Sequence, residues 1–149
     1  MCGRLAGGFA DSRYPRIVQL VSALFVENFQ LRSVAGPSTR IDITGAMFSM
    51  VAPSPAPLSI DPHLVALIYC APNESGSGVF EVVFRRTFDE AGEQIARNVS
   101  PFTVEPGKFT YRLVKAELEF PDYGQVFAHC RIDRGPFTVV PFTLLPPEE

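Results

Sequence analysis

The stretch KFTYRLVKAELEF, residues 108–120, carries the alternation that decides the fold class. One face runs on from Arg112 through Val114, Ala116, Leu118 and Phe120, and the opposite face carries Lys115, Glu117 and Glu119. Successive side chains of a strand leave the backbone on opposite sides, so one greasy and one solvated face is the mark of an antiparallel sheet. A turn at Pro121-Asp122-Tyr123-Gly124 leads into a second alternating run, 125–131, with Val126, Ala128, Cys130 and Ile132 inward. Upstream, 79–88 repeats the pattern, with Phe80, Val82 and Phe84 inward and Glu81 and Arg85 outward. Residues 63–70 are apolar on both faces, as a central strand requires.

The remaining segments are read against these strands. Residues 17–29 have two readings. Ile17, Leu20, Val21, Leu24 and Phe25 fit a helical stripe, while the Val, Ile and Phe content suits a strand buried on both faces, and the strand is expected. Residues 40–51 read as a strand in which Gly45 marks a bulge or a close approach of backbone. Pro53, Pro55, Pro57 and Pro62 bar a central strand, so 53–62 is expected to be an extended connection between sheets. Residues 71–78 read as a hairpin loop, 93–98 as a short strand and 99–107 as a loop. Asp133-Arg134-Gly135 turns the chain tightly, and Pro141 places the final strand, 137–145, at an edge or a break. The expectation is an all-β, immunoglobulin-like antiparallel two-sheet sandwich of about eight strands over 17–145, with a flexible tail at 1–16 and a short tail at 146–149.

The chain has 149 residues, enough for one domain with a core of its own. Fourteen prolines and 11 glycines speak against long helices. The net charge of −3, with Lys and Arg scattered, speaks against nucleic-acid binding, which needs a basic face to displace counterions. Residues 1–15 have no apolar core of a secretory signal, and 17–26 is too short to cross a bilayer. A cytoplasmic protein with no membrane span is expected. In that compartment Cys2, Cys70 and Cys130 are thiols, although Cys70 and Cys130 could be bridged if their strands faced each other across the sandwich.

Several segments together resemble a family of small uncharacterised bacterial proteins, a domain of unknown function. They are Gly45-Ala46-Met47-Phe48 with the prolines after it and His63-Leu64-Val65-Ala66, then 88–93, and then 118–124 leading into Cys130-Arg131-Ile132-Asp133. The resemblance spans about residues 17–145. It implies an immunoglobulin-like β-sandwich and brings no catalytic residue with it. Met1-Cys2-Gly3-Arg4 is similar to the start of abasic-site-shielding proteins. There, removal of Met exposes a Cys whose amine and thiol trap the sugar aldehyde. That family's Asn-Ala-Arg segment and later Glu are missing here, so the match stops at four residues and is taken as chance.

His63 begins a strand and His129 lies on an outward face, and both are expected at the surface or rim. Cys130 and His129 are neighbours on a strand and cannot pair, while a Cys70–His63 pair stays open. Glu117 and Glu119 share a face about 7 Å apart, which suits general acid–base work, but Lys115 beside them makes an ordinary solvated face the better reading. Asp61, Asp89, Asp122 and Asp133 sit in turns, where Asp bonds nearby backbone. Arg85-Arg86 reads as strand alternation. No catalytic, cofactor or metal residue is assigned, and no cofactor is expected. The expected function is a non-enzymatic interaction or assembly module, binding a protein partner or a second copy through the edge strand that carries Pro141. The alternative is a small-ligand protein or enzyme with its site in the end loops around His63, Cys70 and the Asp-bearing turns, and a remote alternative is covalent trapping of abasic DNA by Cys2.

Overall fold

The greasy faces read from 80–84, 114–120 and 126–132 meet between two sheets in a single buried cluster. The computed structural model describes residues 18–34, 39–72 and 76–148 and consists of strands without a helix among them. The strands are β1 (Val18–Ser33), β2 (Thr39–Met47), β3 (Ser49–Val51), β4 (Leu58–Ile60), β5 (His63–Cys70), β6 (Gly76–Arg85), β7 (Gln94–Val104), β8 (Phe109–Lys115), β9 (Leu118–Phe120), β10 (Gly124–Ile132) and β11 (Thr138–Leu145). One sheet has the order β2-β1-β5-β8, the other β3-β11-β10-β6-β7, and β4 pairs with β9 in a small third sheet.

The fold class is the expected sandwich, and 17–29 belongs to a strand. The strand count is 11 rather than eight because the chain changes sheets inside two of the expected strands and the proline-rich connection holds one more, β4. Residues 40–51 divide at Phe48 into β2 of the first sheet and β3 of the second. Residues 108–120 divide after Lys115, where the Ala116 amide donates to the Pro62 carbonyl (3.0 Å) and the chain continues as β9 against β4. The alternation survives the break, with Val114, Ala116, Leu118 and Phe120 all buried. The pairing of β3 with β11 is parallel, the one departure from an antiparallel plan among the pairings described.

Three segments depart from their expected form. Residues 99–107 were expected as a loop, but β7 runs through Pro101 to Val104. It can do so because β7 is an edge strand, where a missing amide breaks no ladder. The proline-rich connection holds β4, and the Ala56 amide donates to the Tyr123 hydroxyl (3.0 Å). β11 is covered over its second half by β3, through Thr143 N to Phe48 O and Ala52 N to Leu145 O, both 2.9 Å. Pro141 has the same parity as Thr143, so its missing N–H falls on the side that β3 leaves uncovered.

Gly45 has φ +68°, and the β1–β2 register passes from Val26↔Ala46 to Asn28↔Thr44 around it. The register runs through the position without a shift, so there is no bulge, and a side chain there would run into the Glu27 side chain; glycine suits the position because the backbone is left-handed. Beyond Val26↔His63, β1 and β2 pair only with each other, as a ribbon. The ribbon curls across the sheet, and the Phe29 ring lies 6.1 Å from Tyr111, two strands away on β8.

Phe25 of the first sheet packs against Phe142 (5.0 Å between ring centroids) and Phe84 (6.4 Å) of the second. Phe25→Ala therefore lowers unfolding free energy by about 3–5 kcal/mol. Val21→Ala, at an exposed bulge of the same strand, changes it by less than about 0.5 kcal/mol in the same urea titration.

Candidate functional site

Two polar assemblies stand outside the core. The first lies on the outer face of the five-stranded sheet, where alternation points Glu81 of β6 and His129 and Arg131 of β10 away from the other sheet. Register sets Arg131 directly opposite Glu81 and His129 opposite Val83. The Glu81 carboxylate receives the Arg97 and Arg131 Nε–H groups, each at 2.8 Å. Arg131 also lies over the Phe137 ring (4.3 Å), which meets the His129 ring edge-on at 5.8 Å. Glu81, expected outward and solvated, is thus 8% exposed, and His129, expected at the surface, is 0% exposed. The outer face is the right one for both residues. What burial from sequence missed is the cover that the 86–93 and 133–137 turns lay over that face.

The chemistry of this assembly is structural. His129 Nε2 lies 3.0 Å from the Thr87 carbonyl, which can only accept, so Nε2 carries the hydrogen. Nδ1 is then a buried acceptor without a partner. Burial pushes the Glu81 carboxyl up, but the hydrogen bonds and charges of Arg131 and Arg97 outweigh it and hold the group below its ordinary value.

The second assembly is a cleft of about 670 Å³ beside the β4–β9 pair, lined by Asp61, Glu93, Glu117, Glu119, Arg86 and Ile95 among others. It brings the Glu117–Glu119 pair into one concavity with Asp61 and Glu93, which nothing in the linear spacing foretold. Both glutamates are exposed, and Lys115 is spent on Asp61 (3.3 Å) instead of on them. Arg86 donates to the Glu119 carbonyl at 2.6 Å and lies 5.6 Å from the Phe120 ring, so it clamps β9 to the β6–β7 turn. Arg85 donates to the Gly92 carbonyl (3.0 Å) within that turn. Among the described residues no group of three or more His, Cys, Asp or Glu is placed to hold a metal ion.

The other candidates are not brought together. His63 and Cys70 stand at opposite ends of β5, about 23 Å apart at the rise of a strand. Cys70 and Cys130 are not bridged. Cys70 donates to the Ala71 carbonyl and Cys130 to the Ala128 carbonyl, and burial pushes the Cys130 thiol up to about 12. Asp89 and Asp122 bond the local amides of Ala91 (2.9 Å) and Tyr123 (2.8 Å), as turn aspartates do. Asp133, at φ +54°, instead accepts from the distant Val79 amide (3.0 Å) and joins the turn to β6. Cys2 and the 1–16 tail lie outside the described residues. Among those described, no helix is long and apolar enough to cross a membrane.

No family model matches the chain, and no curated protein matches it. Among solved structures it is similar to part of a β-glucosidase from Listeria innocua. The glucose complex gives a TM-score of 0.48 and the gluconolactone complex 0.49, each at 10% identity. The match covers 82% of this chain and 16% of the enzyme's, so the chain spans about a sixth of that protein's length.

Two outcomes follow from this chemistry. Glu81→Gln costs about 1–3 kcal/mol at neutral pH by stranding two guanidinium groups. The folded carboxyl titrates below the unfolded one, so its stabilisation is full above the ordinary carboxylate range and is lost as pH falls through the folded value. The gap between Glu81→Gln and the wild type therefore closes below about pH 4 in urea unfolding at stepped pH. Peptide mapping after iodoacetamide treatment at pH 8 finds Cys130 unmodified in the folded protein and modified once it is unfolded.

Proposed function

We propose that the protein is a non-enzymatic interaction module whose partner-binding surface is the corner where β3 joins β11. The observation that carries this reading is the exposure there of three large apolar side chains, Phe48 (60%), Val51 (44%) and Leu145 (39%). Register sets Val51 beside Leu145, and the Phe48 carbonyl is fixed by the Thr143 amide. The patch therefore sits on braced backbone and not on a loose loop. Large apolar side chains exposed at a sheet corner are costly to leave in water and are typical of a surface that a partner covers.

The final strand still takes part in this reading, though not as a free edge. Its second half is occupied by β3, and Pro141 offers no amide on the uncovered side. Side-chain contact at the corner replaces the strand addition expected from sequence.

The test places a photo-crosslinking amino acid at position 48 and, as a control, at Thr103 on exposed β7. Irradiation in extract of the native host is expected to yield a discrete adduct from position 48 alone, abolished when Val51→Ser and Leu145→Ser are added. Adducts from both positions alike, or from neither, overturn the proposal.

A further inference from the structure

Each sheet has two edges, and three of the four are blunted. At the β7 edge Pro101 removes a donor, and Arg112 of β8 caps its carbonyl through Nε (3.1 Å) and Nη2 (2.7 Å). The same contact ties β8, the neighbouring edge, to β7. β3 is three residues long and runs into Pro53. β2 is different. It is nine residues long, contains no proline and, among the described residues, pairs with β1 alone. Natural sheets protect such edges with short strands, prolines, bulges or charges. The register of β2 against β1 runs without a bulge, and the only such device on the strand is the pair of charges Arg40 and Asp42.

Those charges are self-complementary. Alternation places Ile41 and Ile43 on the face shared with Phe29 and Leu31, and Arg40 and Asp42 on the other face, where Asp42 already receives Arg32 at 2.8 and 3.1 Å. Antiparallel pairing of β2 with a second β2 about a two-fold axis keeps like faces together only in registers that differ by two residues. Centred on Asp42, the register sets two carboxylates face to face. Centred on Arg40, it sets two guanidinium groups face to face. Centred on Ile41, it sets each Arg40 opposite the other copy's Asp42, with the two Ile41 side chains in contact. Opposite charges across a strand pair are favourable and like charges unfavourable, so a single register is selected.

We infer that the protein self-associates as an antiparallel β2–β2 dimer centred on Ile41, its register set by reciprocal Arg40–Asp42 pairs. Backbone hydrogen bonds supply the affinity, as in strand addition generally, and the charges supply the register. The inference stands apart from the β3–β11 corner, and its variants leave Phe48, Val51 and Leu145 untouched.

Sedimentation velocity of the full chain from micromolar to near-millimolar concentration tests it, with circular dichroism confirming that each variant keeps its fold. The wild type is expected to show a monomer–dimer equilibrium. Arg40→Asp and Asp42→Arg each raise the dissociation constant about tenfold or more when alone, because like charges then face across the axis. Mixed in equal amounts, the two variants associate with each other. A wild type that stays monomeric throughout, an Arg40→Asp protein that dimerises like the wild type, or variants that fail to associate when mixed would each overturn the inference.

Discussion

Phe25 stands between the sheets, its ring packed against Phe142 on one side and Phe84 on the other. These three rings join β1 of the first sheet to β6 and β11 of the second, so both sheets are built around their contact. Neither sheet can bury its inward face alone, because a sheet with one greasy side must lay it on another layer. Every feature outside the core rests on that closure. The outer face is presented only once the inner one is sealed, and the edges are defined only once both sheets are complete.

The outer face of the five-stranded sheet shows what closure makes room for. Glu81, Arg97 and Arg131 would be an ordinary exposed charge ladder if nothing lay over them. The turn at 133–137 brings Phe137 onto Arg131 and His129, and the 86–93 turn supplies the Thr87 carbonyl. The Glu81 carboxylate is thereby buried between two guanidinium groups, of which Arg131 is partly covered and Arg97 stays open to solvent. Its geometry favours rigidity, since each Glu81 oxygen receives one guanidinium Nε–H. The acidic cleft differs, with its carboxylates exposed around an open concavity and its one arginine engaged in bracing β9.

The edges follow from how the chain passes between sheets. At Phe48 the chain leaves the first sheet for the second, which puts β2 and β3 on the same side of the sandwich. β3 is too short to shield β11 fully, and Pro141 completes the protection by removing a donor. On the opposite side Arg112 spans the gap between β8 and β7. Among the described residues the molecule is therefore guarded on one side by a guanidinium clamp and on the other by a short strand and a proline, with the outer edge of β2 left open.

Local alternation in 79–88, 108–120 and 125–131 was enough by itself to determine the class of fold and most of the core. Burial follows parity along a strand, and Phe80, Val82, Phe84, Val114, Leu118, Phe120, Val126 and Cys130 all lie where parity puts them. The left-handed backbone at Gly45 and the turns at Asp89 and Asp122 were equally local, since backbone conformation and neighbouring amides decide them. The tertiary structure alone decided which strands break to change sheets, that Pro101 sits within an edge strand, and that His129 and Glu81 are covered. It also decided that Glu117 and Glu119 share a cleft with Asp61 and Glu93. The reason is physical: alternation reports which side of a strand a residue takes, whereas register, strand order and the turns that cross a face arise from contacts between residues far apart in the chain, and no window of sequence contains both partners.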